Sequence, residues 1–434
     1  MKTVYAILAL ITFFILVFLL VFTSDDFLSS SEIKYFNEED SEEKDEFSEE
    51  ENIDKEEKEQ LKDDEKELKN EKKEEDDKFK PLHLDVPDQV RSIYITSCYA
   101  GTPSLRNGIV DLIEKTELNS VVIDIKDYTG MISFKSEHSD LAEAYATHCP
   151  VRDMREFVHE LNKKDIYVIG RITVFQDNYL TDKRPDLAVL RESDKEVWED
   201  YKGISFTDPG AKEVWDYHIK LSKESYELGF DEINFDYIRF PSDGPMRDIY
   251  FPHSKNRNKA DVMEDFFYYL HNELKDVGVV TSADLFGLTT SANDDLGIGQ
   301  VWERALPYFD YMSPMIYPSH YPYGFKGLGN PNHSPYEVVK WSLDDAIERT
   351  VATTTLVETI GSERIGTSTP AIYTKESFDI DVIRPWLQDF RYGGTYGVDE
   401  IRKQIQAVYD AGLDSWMLWD PSNRYTPEAL EPAF

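Results

Sequence analysis

Basic residues, histidines and cysteines are scarce in this 434-residue chain. Lysine and arginine number 47 against 85 aspartates and glutamates, a formal net charge of −38. A phosphate backbone is bound by Lys and Arg displacing counterions, so no nucleic-acid partner is expected. The two cysteines cannot build a four-cysteine zinc site or a disulfide-dense scaffold. The nine histidines form no HxH or HExxH pattern, which argues against a histidine-rich metal hydrolase and leaves an all-carboxylate site open. No GxSxG nucleophile elbow occurs, and no glycine-rich fingerprint follows the first candidate strand. Neither a metal nor an organic cofactor is therefore expected.

What is present divides the chain in three. Thr3 to Phe22 carries no charge over 20 residues, and as a helix would span roughly 30 Å, the thickness of a bilayer's hydrocarbon core. The apolar region of a cleavable signal peptide is shorter, about 7 to 15 residues, so residues 1–24 read as an uncleaved transmembrane anchor. Lys2 precedes the span and Asp25 and Asp26 follow it. The positive-inside rule then leaves the short N-terminus in the cytoplasm and places the rest outside the cell membrane, attached by a single pass. Residues 25–80 hold 26 acidic and 11 basic residues with no sustained heptad seam. They read as a disordered acidic linker that spaces the remainder from the membrane.

Past Pro81, with hydrophobic residues at 41% of the whole chain, residues 81–434 can build a large core. Eight apolar stretches read as strands: Val90–Thr96, Ser120–Lys126, Ile166–Thr173, Glu232–Ile238, Val279–Asp284, Tyr311–Tyr317, Val382–Gln388 and Ser415–Trp419. Helical spacing lies between them, as in Met154, Phe157, Val158 and Leu161, and again in Ile401, Ile405 and Val408. Gly229 and Gly412 stand where helices should stop. Eight strands alternating with helices predict an α/β fold, a (β/α)8 TIM barrel, over a doubly wound sheet. No eighth helix is evident after Trp419.

Reactive groups of such barrels gather at the C-terminal ends of the strands. Those ends are acidic here: Asp124, Lys126 and Asp127 on strand 2, Asn234, Asp236 and Arg239 on strand 4, and Asp284 on strand 5. Gln388 and Asp389 close strand 7, and Trp419 and Asp420 close strand 8. One such Asp alone is usually a turn or helix cap; their convergence is what points to chemistry. Asn234 and Asp236, two apart, share one face of their strand. Glycosidic cleavage needs two carboxyls, one ionised at the sugar centre and one protonated for the leaving oxygen. Asp236 and Asp284 are the catalytic candidates.

Tyr317, His320, Tyr321 and Tyr323 after strand 6, with Trp419, suit flat contact with sugar rings, whereas Trp416 reads as core. Lys126 and Arg239 could pair with a carboxylate or hold an acidic sugar, and pairing is preferred because it keeps a neighbouring Asp ionised. A Schiff-base role for Lys126 is disfavoured by the aspartates beside it.

The segments VVIDIKDYTG, DIYVIGRITVFQD, GFDEINFDYIRFP, SADLFGLTT, DYMSPMIYPSHY, RPWLQDF and DSWMLWDPSNRY span about residues 90–426. Through them the chain resembles a bacterial glycosyl-hydrolase family with a TIM-barrel fold. The resemblance implies that Asp236 occupies the strand-4 nucleophile position and Asp284 an acid/base position on strand 5. Apart from that resemblance, the strand ends and the loop aromatics are expected to form a glycan-binding mouth from Asp124, Lys126, Asp127, Arg171, Asn234, Arg239, Tyr317, His320, Gln388, Asp389, Trp419 and Asp420. Two departures stand out: Asp420 occupies a position where the family usually carries Asn, and the stretch from about Gly361 to Asp381 looks inserted ahead of strand 7.

The expectation is a membrane-anchored glycoside hydrolase acting on a cell-wall or extracellular polysaccharide or oligosaccharide. The alternative is an inactive barrel that tethers the envelope by binding glycan. Sugar, linkage, stereochemistry and oligomeric state have no signature in the sequence. Cys98 and Cys149 could meet at one rim of the barrel as a bridge or remain two thiols, and their spacing does not decide between the two.

Overall fold

The computed structural model describes residues 80–433. Eight strands lie in it in parallel: β1 Arg91–Ile95, β2 Ser120–Lys126, β3 Tyr167–Thr173, β4 Glu232–Asp236, β5 Val280–Phe286, β6 Tyr311–Ile316, β7 Trp386–Gln388 and β8 Trp416–Trp419. They close on themselves, with β1 hydrogen-bonded to both β2 and β8. The barrel expected from the alternating pattern is therefore present, and each candidate strand contributes one stave. Strand β7 is shorter than expected: Val382 belongs to the 3-10 turn Ile380–Val382, Ile383 makes only an isolated bridge to Met312, and the strand itself begins at Trp386.

Six longer helices pack outside: α1 Pro103–Lys115, α2 Met154–Asn162, α3 Lys212–Leu228, α4 Lys259–Leu274, α5 Pro335–Val351 and α6 Val398–Asp410. The predicted stripe of Met154, Phe157, Val158 and Leu161 is buried. Helix α3 ends at Gly229, whose φ of 114° a side chain would resist. After β5 only the four-residue helix Trp302–Ala305 and 3-10 turns appear, and after β8 only the 3-10 turn Pro427–Ala429. Among the described residues the outer ring is thus incomplete at strand 8, as the sequence pattern suggested.

Parallel strands covered on both sides are apolar on both faces. Ile93, Val121, Ile123, Val168 and Phe235 point outward into the helix-facing core, while Tyr94, Val122, Tyr167, Ile169, Trp386 and Met417 fill the barrel interior. The interior also encloses charge. Arg384 is fully buried and donates from Nη1 to both carboxylate oxygens of Glu232, at 3.0 and 2.9 Å. Tyr167 donates to the same carboxylate at 3.1 Å, and the guanidinium stacks 3.8 Å from the centre of the Tyr311 ring.

The inserted stretch holds two short strands, Arg364–Ile365 and Ile372–Thr374, and the latter also pairs with Thr354–Thr355 ahead of the insertion, giving a small antiparallel sheet separate from the barrel. Cys98 and Cys149 are disulfide-bonded across 51 residues, with Cα atoms 4.4 Å apart, so the bridge is the alternative realised. The anchor expected at Thr3–Phe22 and the acidic linker lie outside the described residues. Among the described residues no helix is long and apolar enough to cross a membrane.

Candidate active site

A cavity of about 970 Å³ opens at the C-terminal ends of the strands. Asp236 is the last residue of β4, and period-two alternation along that strand turns Glu232, Asn234 and Asp236 to the same face. Its Oδ2 accepts hydrogen bonds from Arg171 Nη2 at 2.5 Å and Nε at 3.1 Å. Its Oδ1 accepts the backbone N–H of Tyr237 at 2.5 Å. Tyr237 holds a positive φ of 51°, a left-handed conformation that costs an aromatic residue on the order of 1 kcal/mol or more. That turn takes the chain abruptly out of the strand and fixes the Asp236 carboxylate against its own backbone.

Arg171, on the neighbouring β3, is buried between two carboxylates. Nη1 donates to Asp124 Oδ1 at 2.7 Å, while the other edge of the guanidinium holds Asp236. Tyr94 from β1 donates to Asp124 Oδ2 at 2.5 Å. Burial pushes the Asp124 carboxyl up to about 6 despite the neighbouring Arg171. The Arg171 guanidinium also lies 5.1 Å from the centre of the Trp419 ring, which stacks on Tyr94 at 3.9 Å.

Asp284, on β5, has a different environment. Its Oδ1 accepts from Asn234 Nδ2 at 2.9 Å and Trp386 Nε1 at 2.7 Å, both uncharged donors. Among the described residues Oδ2 has no protein donor, and Asp284 lines the cavity. Burial first, and the neighbouring Asp236 second, push its carboxyl well above the ordinary carboxylate range. One cavity thus holds a carboxyl braced by a guanidinium beside a carboxyl whose burial and uncharged donors disfavour its ionised form.

Across the mouth, Asp389 accepts from Thr426 through both oxygens, at 2.8 and 3.0 Å, and burial pushes its carboxyl up to about 7. Asp420 accepts the Ser422 N–H at 2.6 Å, a turn contact, while also lining the cavity. Tyr317, His320 and Tyr321 line it too, with Tyr317 and His320 packed edge-on against Phe390.

A family profile described as "putative glycosyl hydrolase domain" matches residues 92–425. The chain belongs to that family. Among solved structures, a hypothetical protein from Ruminiclostridium thermocellum ATCC 27405 is 32% identical, covering 48% of this chain and 98% of its own, with a TM-score of 0.41. The PgaB (BpsB) glycoside hydrolase domain from Bordetella bronchiseptica is 13% identical, covering 76% of this chain and 94% of its own. Its TM-score of 0.52 is a likeness of fold. A search of curated proteins returns no match.

Within this glycosyl-hydrolase-family barrel, not every residue named from sequence reaches the cavity. Lys126 does not line it. The register of β2 against β3 slips between Asp124 and Lys126, a bulge that pairs Asp124 with Arg171 but Lys126 with Ile172. One extra residue reverses the facing of the positions beyond it. Lys126 is therefore buried outside the barrel, bonded to Asp177 at 2.8 Å and to the Thr173 carbonyl at 2.6 Å. Asp127 closes a turn on the Thr129 N–H at 2.9 Å and is likewise absent from the lining. Gln388 is fully buried and spends its amide on Ser319 and the Phe390 carbonyl, bracing two loops. Asn234 and Asp124 act from beneath, through Asp284 and Arg171. Of the four loop aromatics, Tyr323 is exposed and outside the lining.

Arg239 does line the cavity, but without the carboxylate partner expected for it. Its Nη1 donates to the Phe240 carbonyl at 2.9 Å and to Ser242 Oγ at 3.3 Å. Sequence reading overlooked Trp386, Tyr94, Phe390, Arg391, Arg424 and Tyr425. For Tyr94 and Trp386 the signal existed, since both share the inward face of their strands. The others sit on loops, where no period tells which way a side chain turns.

Proposed function

We propose that this protein is a glycoside hydrolase of the cell envelope, anchored by its N-terminal segment, that cleaves a cell-wall or extracellular polysaccharide. The observation that carries the reading is the contrast between Asp236, held by Arg171, and Asp284, held by neutral donors with one oxygen free. Two carboxyls in contrasting surroundings, one against a guanidinium and one against neutral donors, suit the division of roles in glycosidic cleavage. Asp236 supplies the anion facing the oxocarbenium-like centre. Asp284 delivers its proton from Oδ2 to the leaving oxygen. Asp389 is a weaker candidate for the acid, because Thr426 occupies both of its oxygens.

Trp419, Tyr317 and His320 offer ring faces and edges for sugar contact, a use that fits their amphipathic chemistry. A disulfide at the barrel rim suits an oxidising exterior and supports placement of the domain outside the membrane. The test is to incubate the protein with a polysaccharide panel and measure new reducing ends. Cleavage should be lost almost entirely in Asp236→Asn, since an amide cannot act as the anion. Binding without new reducing ends on any polymer would favour the tethering alternative.

A further inference from the structure

The arginines of the cavity distinguish its substrate. Most arginines of this acidic protein are matched to carboxylates: Arg106 to Asp153, Arg184 to Asp186 and Glu213, Arg349 to Glu303, Arg384 to Glu232. Arg239, Arg391 and Arg424 line the cavity, and among the described residues none has a carboxylate within ion-pair distance. Arg239 is the informative one, because it is nine-tenths buried. Burying a guanidinium without a counter-charge is costly unless something else satisfies it.

Its surroundings hold it in place without neutralising it. The guanidinium lies 4.7 Å from the centre of the Phe286 ring, 5.1 Å from Tyr237 and 5.9 Å from Phe206. Asp236, Asp200 and Asp243 act on its charge from beyond contact. Nη1 is anchored to the Phe240 carbonyl and Ser242, whereas Nε and Nη2 have no acceptor among the described residues. A planar donor edge, fixed by aromatic rings and aimed into a cavity, is the arrangement that recognises an oxyanion.

The charge balance of the lining agrees. Four arginines face four aspartates there. Arg171 is committed to Asp236 and Asp124, and burial raises Asp284, Asp389 and Asp420 toward their neutral forms. With Arg171 taken up by Asp236 and Asp124, the guanidinium of Arg239 is the buried charge of the lining that no carboxylate meets.

We infer that the cavity takes an anionic glycan, whose sugar-borne oxyanion is gripped by Arg239 and drawn in by Arg391 and Arg424 at the rim. This rests on the glycan-binding reading of the same cavity. A uronic-acid carboxylate and a phosphodiester share the required chemistry, and the assay separates them.

The test measures binding of the full-length protein in detergent micelles to three polymers: a polyuronate, the same polyuronate after carboxyl reduction, and a glycerol-phosphate polymer. At least one anionic polymer should bind about tenfold or more tightly than the neutral one, a typical effect of a charge-assisted bond. Arg239→Gln should abolish most of that preference. The double variant Arg391→Gln/Arg424→Gln alters only exposed residues and should reduce the preference several-fold even if Arg239→Gln fails to fold. Equal affinity for charged and neutral polymers, or a preference that survives both variants, overturns the inference. Arg239-dependent binding without release of reducing ends would retain the anion site and sink the hydrolase reading. Cleavage of the neutral polymer alone would do the reverse.

Discussion

Replacing Asp284 by asparagine removes its transferable proton while leaving the hydrogen bonds to Oδ1 in place. The new Oδ1 can accept the same bonds from Asn234 and Trp386, now at 2.9 and 2.7 Å, and the new Nδ2 falls where Oδ2 meets no protein donor. The two hydrogens on Nδ2 then face the cavity, where water can accept them, so the folding cost should stay below about 1 kcal/mol. The melting temperature at pH 8 should not fall. Activity should fall steeply, because a positioned general acid is worth about 10²- to 10⁴-fold, roughly 3 to 5 kcal/mol of barrier. The assay compares two substrates: the polysaccharide cleaved by wild type, and an aryl glycoside whose leaving group needs no proton. The variant should lose the first activity by that factor and keep the second within about tenfold. Equal loss on both substrates would refute the assignment and turn attention to Asp389 or Asp420. Polysaccharide activity within a few-fold of wild type would reduce Asp284 to a core residue.

Other consequences concern stability. Arg384→Met leaves Glu232 buried and unpaired in the barrel interior, and should destabilise by about 3 to 5 kcal/mol in urea unfolding; a loss under about 1 kcal/mol would contradict the pairing. Burial pushes Asp231 and Asp389 up to about 7 and Asp124 to about 6, so the folded state keeps protons that the unfolded chain releases near pH 4. Their contribution is full below about pH 4 and is lost as pH rises through 6 to 7. Melting temperature should therefore decline from pH 5 to 8, and Asp389→Asn should flatten the decline, which general charge repulsion would not predict. Cys98→Ser opens a 51-residue separation and should cost about 2 to 4 kcal/mol in thermal or urea unfolding; the same stability with and without reductant would exclude the bridge.

The sequence by itself determined the barrel. Runs such as SVVIDIK in β2 and YVIGRIT in β3 are buried along their whole length, the signature of strands covered on both faces. The 3.6-residue stripes of α2 and α6 supply those covers. The same pattern placed Asp236 and Asp284 near the mouth, where barrel chemistry resides, although β4 stops at Asp236, two residues short of the expected end, and β5 runs on to Phe286, two beyond it. Only the tertiary structure decided which neighbours join them. A single bulge after Asp124 sent Lys126 to the outside of the barrel, and a bulge leaves no trace in a period-two pattern read one strand at a time. Trp386 reaches Asp284 across 102 positions of chain, and Asn423 meets the backbone of Tyr94 across 329. Such contacts exist only because the barrel closes. Arg239 is the clearest case: the sequence supplied its charge and aspartates nearby, but where its donors point, and that no carboxylate meets them, was fixed by the rings of Phe286, Tyr237 and Phe206 packed around it.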